Sequence, residues 1–558
     1  MISRVHSSIL QGIDAIACEV EADVSIGGSG EIKLVGLADI AVKESVSRIQ
    51  AALRNSGYRW PGPKVTINLA PADVKKDTAG FDLPIAVAVC IAGGLFATEK
   101  IDDYLFVGEL ALDGRLRAVK GALATAMLAG AQGKRGVIVP ADNAAEAAVV
   151  DSVEVIGVKF FTEAVGFLTD ELPIDPTHVD LEAIFAVTAK YDVDFADVRG
   201  QESAKRALTI AAAGHHNVLM IGPPGSGKTM LAKRIPTILP ALTMEESLET
   251  TRVYSARGLL APGQSLMAIR PVRTPHHSSS SAALVGGGAI PQPGEVSLAH
   301  HGVLFLDEFP EFARPTLEMI RQPLEDGCVT IPRVHSTLRF PAQIMLVAAM
   351  NPCPCGYYGD SRKPCKCSPI MIDRYVARIS GPLIDRIDIH IEVPAVPWRQ
   401  LRAEGPAAEG LSSAQMRQQV LRAREVQRRR FAGSPASSTQ SAIPHSTQLM
   451  AASTSRGDPQ SAIAPGAGGF PAQGGPASGD ATTTNASMSP RRVRQYCKLD
   501  AAGETLLRQA LTELGLSARA HDKVLRIART IADLEGEENI AAHHLAEAVQ
   551  YRRLDRRI

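Results

Sequence analysis

The segment NVLMIGPPGSGKT, residues 217–229, constrains the fold of this chain more than any other stretch. Its apolar part, Val218–Ile221, has the composition of a buried strand, and the pattern G-x-x-x-x-G-K-T starts directly after it at Gly222. In strand–loop–helix order, the backbone N–H groups of a glycine-rich loop and the positive end of the helix dipole converge on phosphate. The chain is therefore predicted to contain an α/β domain that binds a nucleoside triphosphate.

The residues of this loop have distinct expected roles. Lys228 should reach the β- and γ-phosphates of ATP, and the hydroxyl of Thr229 should ligate Mg²⁺. A glycine-rich turn without a ligand is the alternative, and the flanking strand and helix argue against it. The predicted ATP-binding residues are Gly222, Pro223, Pro224, Gly225, Ser226, Gly227, Lys228 and Thr229.

Two further apolar stretches end in polar residues that suit nucleotide hydrolysis. The strand-like run Val303–Leu306 leads into Asp307 and Glu308. Asp307 is expected to hold Mg²⁺ through water, and Glu308 to polarise the attacking water as general base. The stretch QIMLVAAMN ends at Asn351, whose amide could position that water and sense the γ-phosphate. These three side chains are the first catalytic candidates.

Half of the eight cysteines follow Asn351 closely: they are Cys353, Cys355, Cys365 and Cys367. Four thiolates suit tetrahedral zinc, but structural zinc sites usually place at least two residues between paired ligands, and here the spacing is C-x-C. Three interpretations therefore stay open: structural Zn²⁺, reduced structural thiols and a redox switch. In each of them the loop is expected to clip together the chain that follows Asn351.

Composition shifts divide the chain into six parts. The strand-like runs Lys64–Ala70 and Gly136–Pro140 alternate with alanine-rich helical patterns, which indicates a mixed α/β domain at the N-terminus. Residues 432–490 are dominated by Ala, Ser, Gly, Pro, Thr and Gln and are expected to be disordered. The predicted parts are an N-terminal domain (1–170), a linker (171–195), the nucleotide-binding core (196–400), an Arg-rich helix (401–431), the low-complexity insertion (432–490) and a helical module (491–558).

Charge and apolar patterning limit the setting in which the protein works. Lys+Arg and Asp+Glu both number 59, so a nucleic-acid surface has to be local. Acidic residues near the start argue against an export signal, and the run Leu83–Ala97 is too short to span a bilayer. The sequence therefore predicts a cytoplasmic protein with no membrane partner, in which clustered thiols favour metal binding or chemistry over disulfides.

The motif order resembles that of AAA+ ATPases, and the motif spelling resembles the magnesium-chelatase-like ATPases of the ComM/YifB type. The segments that carry the likeness are GPPGSGKTMLAKRIPTILP, RTPHHSSSSAALVGGG, PGEVSLAHHGVLFLDEFPEF, AAMNPCPCGYYGD, RISGPLIDRIDIHIEV and SARAHDKVLRIARTIADLEG. The resemblance implies a central AAA+ P-loop ATPase domain of α/β fold, an N-terminal Lon-protease-like α+β domain and a C-terminal helical lid. It also implies a homo-hexameric ring, in which Arg386 is the finger that completes a neighbour's site and Arg519 is the lid (sensor 2) arginine.

Two insertions resemble the pore loops of related rings. The stretch CVTIPRVHSTLRFPA, residues 328–342, is typical of a hairpin, and Arg333 and His335 at its tip are expected to contact DNA phosphates. A second, Gly/Pro-rich insertion precedes the strand that ends at Asp307. The histidines of RTPHH are interpreted as structural or pore-lining, because a third metal ligand at useful spacing is missing. The Arg-rich helix is interpreted mainly as a solvated face, with contact to DNA as the alternative.

The N-terminal domain resembles the Lon-protease fold without its catalytic dyad. Gly80 stands where the family has its serine, Leu123 falls at the lysine position, and Lys120 is out of phase. Without a nucleophile or an activating amine, covalent peptidase chemistry is not expected. The domain is interpreted as a scaffold that aids oligomerisation or DNA engagement.

The family resemblance implies an ATP-driven DNA motor, a helicase or branch-migration translocase in homologous recombination and natural transformation. Its expected partners are single-stranded or branched DNA and recombination proteins. A metal-chelatase-type ATPase is an alternative, but the D-x-S-x-S metal motif of its integrin-like partner is absent from the sequence. A protein-remodelling ATPase is the other alternative, and the missing dyad argues against an ATP-dependent protease.

Overall fold

In a computed structural model, the chain folds around two main β-sheets, and helices pack against both of them. The structure describes residues 2–25, 31–37, 39–76, 79–186, 191–288, 291–332, 337–360, 362–397, 410–432, 484–514 and 517–552. Most of the low-complexity insertion, residues 433–483, and the predicted hairpin tip at residues 333–336 lie outside these ranges.

The N-terminal domain is built on a seven-stranded mixed sheet. Its strands and the small β6–β7 ribbon are β1 (Ile2–Gln11), β2 (Asp14–Ser25), β3 (Glu31–Val35), β4 (Lys64–Ala70), β5 (Tyr104–Phe106), β6 (Glu109–Leu110), β7 (Leu116–Arg117), β8 (Gly136–Pro140) and β9 (Glu154–Val158). The order is β3-β4-β2-β1-β5-β8-β9, with β1, β2 and β4 antiparallel and β1, β5, β8 and β9 parallel. The helices are α1 (Ile40–Asn55), α2 (Asp82–Ala92), α3 (Ala122–Ala131), α4 (Ala141–Ala147) and α5 (Phe161–Leu168). The uncharged run that is too short to span a bilayer largely forms α2, which is buried on nearly all sides.

The central domain is built on a five-stranded parallel sheet. Its elements are α6 (Leu181–Ala186), α7 (Glu202–Gly214), β10 (Val218–Ile221), α8 (Lys228–Ile238), α9 (Met244–Arg257), β11 (Val272–Arg273), α10 (Ser281–Val285), β12 (Gly286–Gly287), β13 (Gln292–Pro293), α11 (Glu295–Leu298), β14 (Val303–Leu306), α12 (Arg314–Met319), α13 (Arg321–Asp326), β15 (Cys328–Pro332), β16 (Thr337–Pro341), β17 (Met345–Met350), α14 (Pro369–Val376), α15 (Gly381–Ile384) and β18 (Ile389–Glu392). The order β11-β14-β17-β10-β18 places the loop strand β10 in the interior of the sheet. These strands are almost entirely apolar because helices cover both faces of the sheet.

Five helices complete the described chain: α16 (Ser413–Ala432), α17 (Pro490–Tyr496), α18 (Ala501–Leu514), α19 (Ala518–Glu535) and α20 (Ala542–Gln550). Ser517 caps α19 by accepting a hydrogen bond from the N–H of Ala520, and Gly536 ends that helix with φ +78°. An ion pair of 2.8 Å between Lys523 of α19 and Asp388 before β18 ties the helical module to the central sheet.

The Arg-rich helix α16 differs from the predicted solvated face. Its buried side chains, Met416, Val420, Ala423, Gln427 and Phe431, pack into the core that α7, α8 and α19 share. Arg424 is half-buried and donates to the carbonyl of Ala212, while Arg430 pairs with buried Asp533. The helix therefore joins the central domain to the C-terminal helices, and only part of its charge faces solvent.

The architecture confirms the predicted class: a mixed α/β N-terminal domain, a parallel α/β centre and a helical C-terminal part. The segment predicted as a linker contains the short helix α6. No helix among the described residues is both long and apolar enough to cross a bilayer.

Candidate active site

Three neighbouring strands bring the predicted hydrolysis residues to one edge of the parallel sheet. β10 leads into the glycine-rich loop, β14 ends before Asp307, and β17 ends before Asn351. Because β14, β17 and β10 are adjacent and parallel, their carboxyl ends meet. The hydroxyl of Thr229 donates a hydrogen bond of 2.7 Å to Oδ2 of Asp307. The two side chains predicted to hold Mg²⁺ are thus in direct contact.

The ammonium group of Lys228 lies at the centre of this edge. It donates to the carbonyls of Gly222 at 2.6 Å and Pro223 at 3.0 Å, and to Oδ1 of Asn351 at 3.2 Å. Burial lowers the pKa of Lys228, and the nearby carboxylate of Asp307 opposes that shift. A buried ammonium held mainly by neutral oxygens is poised for an anionic ligand.

The loop fits a phosphate group. Gly225 and Gly227 have φ of +75° and +94°, which favour glycine, and α8 begins directly after them at Lys228. The hydroxyl of Ser226 is buried without a hydrogen-bond partner among the described residues. A cavity of about 400 Å³ opens here, lined by Pro224, Gly225, Ser226, Gly227, Lys228, Thr229, Met230, Asp307, Glu308, Met350 and Asn351. The polar groups in this lining, which include the unpaired hydroxyl of Ser226, suit the triphosphate of ATP with Mg²⁺.

Glu308 has a partner that the sequence did not reveal. Its backbone adopts a left-handed φ of +52°, and its side chain is about half exposed. Nδ1 of His277 lies 3.1 Å from Oε2 of Glu308. His277 follows β11, the strand that pairs with β14 in the sheet, so the RTPHH segment borders the hydrolysis site. The sequence signal was the histidine pair itself, but only the strand order shows what it faces.

Arg386 and Arg519 line a different cavity, of about 550 Å³. Arg386 donates to the carboxylate of Glu325 and to the carbonyl of Pro382, the latter at 2.5 Å. The hydrogen bond from Arg386, and more weakly the charge of Arg519, lower the pKa of Glu325. Neither arginine lines the cavity at the glycine-rich loop. The two residues that were predicted from different motifs therefore share one surface.

The predicted DNA contacts, Arg333 and His335, lie outside the described residues. The strands that flank them form the expected antiparallel hairpin, with Cys328 opposite Pro341 and Pro332 opposite Thr337. The Gly/Pro-rich insertion forms a second small ribbon, β12–β13, beside this hairpin. An added Cβ at Gly286 of β12 would lie 3.4 Å from the side chain of Ile331 in β15.

In the N-terminal domain, Leu123 occupies the position of the protease lysine, and it makes apolar contacts there. Leu123 is fully buried and packs in one cluster with Val149 and with Leu266, which belongs to the central domain. Gly80 lies in a short 3₁₀ turn, and its carbonyl accepts a hydrogen bond from the N–H of Gly108. Leu123 thus contributes to the contact between two domains instead of to a dyad.

Three family models match the chain, and all three describe magnesium chelatase. "Magnesium chelatase, subunit ChlI" matches residues 194–401, "Subunit ChlI of Mg-chelatase" matches residues 20–143, and "Magnesium chelatase, subunit ChlI C-terminal" matches residues 474–552. Competence protein ComM of Haemophilus influenzae is 40% identical over 557 residues, which cover 100% of this chain and 98% of the relative. The uncharacterized protein YifB of Escherichia coli is 39% identical over 556 residues, with 100% and 98% covered.

The chain belongs to the magnesium-chelatase-like AAA+ family of the ComM/YifB type. This confirms the resemblance in the motifs, and membership of an AAA+ family implies ATP and Mg²⁺ as ligands. The N-terminal domain of this ComM/YifB-type protein is also 34% identical over 146 residues to Lon protease 2 of Bacillus subtilis, a match to 24% of this chain and 25% of the relative. The Lon-like fold expected for that domain is therefore confirmed as well.

Proposed function

We propose that this ComM/YifB-type protein hydrolyses ATP and uses the energy to drive DNA through a homo-hexameric ring in the cytoplasm. The contact that carries the hydrolysis part is the pairing of Thr229 with Asp307 at 2.7 Å, beside Lys228 and Asn351. The geometry places a hydroxyl, a carboxylate, an ammonium and an amide around one cavity. This combination serves phosphoryl transfer by positioning and by charge stabilisation.

The residues divide the work of hydrolysis. The backbone of the loop and Lys228 hold the phosphates of ATP. Thr229 and Asp307 would hold Mg²⁺, which supplies charge neutralisation when bound. Glu308 accepts the proton of the attacking water, while Asn351 orients that water toward the γ-phosphorus. The new bond forms between water oxygen and phosphorus as the bond to the β,γ-bridging oxygen breaks, and ADP and phosphate leave.

A ring explains why Arg386 and Arg519 lie away from this cavity. An arginine finger stabilises the charge that develops on the transferred phosphoryl group, so it has to reach a nucleotide. Within one chain the guanidinium of Arg386 pairs with Glu325 instead. We infer that the shared surface of Arg386 and Arg519 meets the nucleotide of a neighbouring subunit, and that six subunits close the ring as the AAA+ family suggests.

The two adjacent hairpins are the best candidates for gripping DNA. They are the only two-stranded ribbons of the described central domain, and Arg339 of β16 adds an exposed guanidinium to one of them. One relative is named a competence protein, which supports a role in competence. We therefore propose DNA branch migration during homologous recombination and natural transformation, together with recombination proteins.

A chelatase-type ATPase is the second candidate, because all three matching family models describe a magnesium chelatase subunit. In that case turnover should respond to a metal-inserting partner and not to DNA. A protein remodeller should respond to neither.

The deciding experiment measures ATP turnover with and without single-stranded or four-way-junction DNA, together with migration of the junction. We expect DNA to stimulate turnover, and both activities to disappear in Lys228→Ala. Lys233→Ala, an exposed lysine on the same helix, is the matched control and should behave as the unmodified protein. Turnover and oligomeric state that do not change when DNA is added would overturn the DNA-motor proposal but leave the ATPase assignment standing.

A further inference from the structure

The four cysteines after Asn351 converge on one point. Their Sγ atoms all lie within 4.8 Å of one another. The shortest separations are 3.4 Å for Cys353–Cys355, 3.6 Å for Cys355–Cys365 and 3.7 Å for Cys353–Cys365. Four thiolates around a tetrahedral zinc ion, with Zn–S of about 2.3 Å, lie roughly 3.8 Å apart. We propose that Cys353, Cys355, Cys365 and Cys367 bind one structural zinc ion.

The local backbone answers the objection that C-x-C is too tight a spacing. Gly356, with φ +84°, donates its N–H to the carbonyl of Cys353 at 2.9 Å, so the chain turns sharply around the first pair. The N–H of Cys367 points at Sγ of Cys365 at 3.4 Å. Such N–H···S bonds orient thiolates and stabilise their charge in metal sites.

Two other clusters among the described residues have metal-ligand composition, and their hydrogen bonds exclude them. These are Glu249 with His300 and His301, and Glu535 with His543 and His544. In each cluster a backbone N–H donates to Nδ1 of the buried histidine: Gln343 to His300 at 3.0 Å, and Ala541 to His544 at 2.9 Å. The proton of the neutral ring is then on Nε2, which bonds the glutamate and has no lone pair for a metal. The cysteine cluster alone keeps its lone pairs directed at a common centre.

The loop that carries the four cysteines packs directly against the ATP-binding loop. An added Cβ at Gly356 would lie 2.6 Å from Cδ of Pro224, so the turn between the cysteine pairs packs on the glycine-rich loop. Cys353, the fully buried member of the cluster, follows Asn351 by two residues. The zinc ion therefore stabilises the positions of both the ATP-binding loop and the side-chain amide of Asn351. This stabilising role, unlike the metal itself, rests on the proposed ATPase function.

Metal analysis of the full-length protein, purified with a thiol reductant and without chelator, tests the site directly. We expect about one zinc per chain in the unmodified protein and in the control Cys328→Ser, whose thiol lies outside the cluster. Cys365→Ser and Cys367→Ser should each lower the zinc bound per chain by at least about tenfold, because each removes one of the four ligands. Because the measurement on the unmodified protein needs no variant, poor folding of a variant cannot hide the answer.

The zinc site would be overturned by protein free of zinc, by iron in its place, or by a Cys353–Cys355 disulfide found by mass spectrometry of the protein as purified. Zinc that both serine variants retain would do the same. Turnover is measured in parallel, so that the two proposals fail separately. Zinc without ATPase activity contradicts only the proposed function, and ATPase activity without zinc contradicts only the metal site.

Discussion

Nδ1 of His277 lies 3.1 Å from Oε2 of Glu308, the carboxylate proposed to activate water. The imidazole is supplied by the loop after β11, the strand next to β14, and its ring is packed against that of His276 with centroids 4.1 Å apart. A partner at this distance competes with water for the carboxylate. The contact therefore restrains the carboxylate of Glu308.

Replacing His277 with alanine should raise ATP turnover in the absence of DNA. The loss of this contact, worth up to about 1 kcal/mol, frees Glu308 and should increase DNA-independent turnover by about fivefold, while stimulation by DNA shrinks. Steady-state ATPase assays with and without DNA measure both effects. Thr274→Ala is the control, since Thr274 is an exposed residue of the same segment. A drop in turnover as large as that of Glu308→Gln would show that His277 aligns the base and does not restrain it.

Arg386→Ala should lower turnover by about 10³-fold and leave ATP affinity nearly unchanged, because a finger acts on the transition state. If the arginine serves a neighbour, mixing Arg386→Ala with Glu308→Gln should restore part of the activity. Each such mixed ring contains interfaces with an intact base on one side and an intact arginine on the other. Arg374→Ala, an exposed arginine on α14, is the control. Mixtures as inactive as their components would contradict action between subunits.

Gly356→Ala should uncouple the cysteine loop from the ATP-binding loop without removing a thiol. The added Cβ collides with Pro224, so we expect ATP affinity to fall by about tenfold, the equivalent of 1.4 kcal/mol of overpacking. Gly359→Ala is a close control, because Gly359 has a similar φ of +78° but no atom within 4 Å of its added Cβ. Equal effects of the two substitutions would mean that backbone strain, and not contact with Pro224, is responsible.

The sequence predicted those parts of the site in which local pattern determines position. A glycine-rich loop between a strand and a helix, followed by strands that end in Asp307 and Asn351, leaves few arrangements for a parallel sheet. The strands β10 and β14 have the predicted bounds, and the contact between Thr229 and Asp307 follows from the shared edge of the sheet.

The rest depends on contacts between residues that are far apart in sequence. His277 meets Glu308 only because the two-residue strand β11 joins the edge of the sheet, and so short a strand has no periodicity to detect. Arg519 reaches the surface of Arg386 only because α19 docks against the central domain through Lys523 and Asp388. The sequence shows that Leu123 stands where the protease has its lysine. It does not show that Leu123 packs against Leu266 of the central domain.

A buried carboxyl group should make the stability of the N-terminal domain depend on pH. Glu146 of α4 is buried, with Oε1 accepting from the amide of Asn143 at 2.9 Å, and burial raises the pKa of Glu146 from 4.5 to about 7. Between these two pKa values the folded state binds more protons than the unfolded state. The contribution of Glu146 to the free energy of unfolding should therefore be greatest below about pH 4.5, fall as the pH rises to about 7, and stay level above it.

Glu146→Gln removes the titratable carboxyl group while keeping the shape of the side chain and its hydrogen bond with Asn143. We expect the variant to be more stable than the unmodified protein by about 1–3 kcal/mol at about pH 8 and to differ little at about pH 4.5. Urea unfolding followed by circular dichroism at both pH values measures the difference. Asp142→Asn, at an exposed position on the same helix, is the control. It should change the free energy of unfolding by the same amount at both pH values. Parallel stability curves for Glu146→Gln and the unmodified protein would show that the Glu146 carboxyl keeps an ordinary pKa.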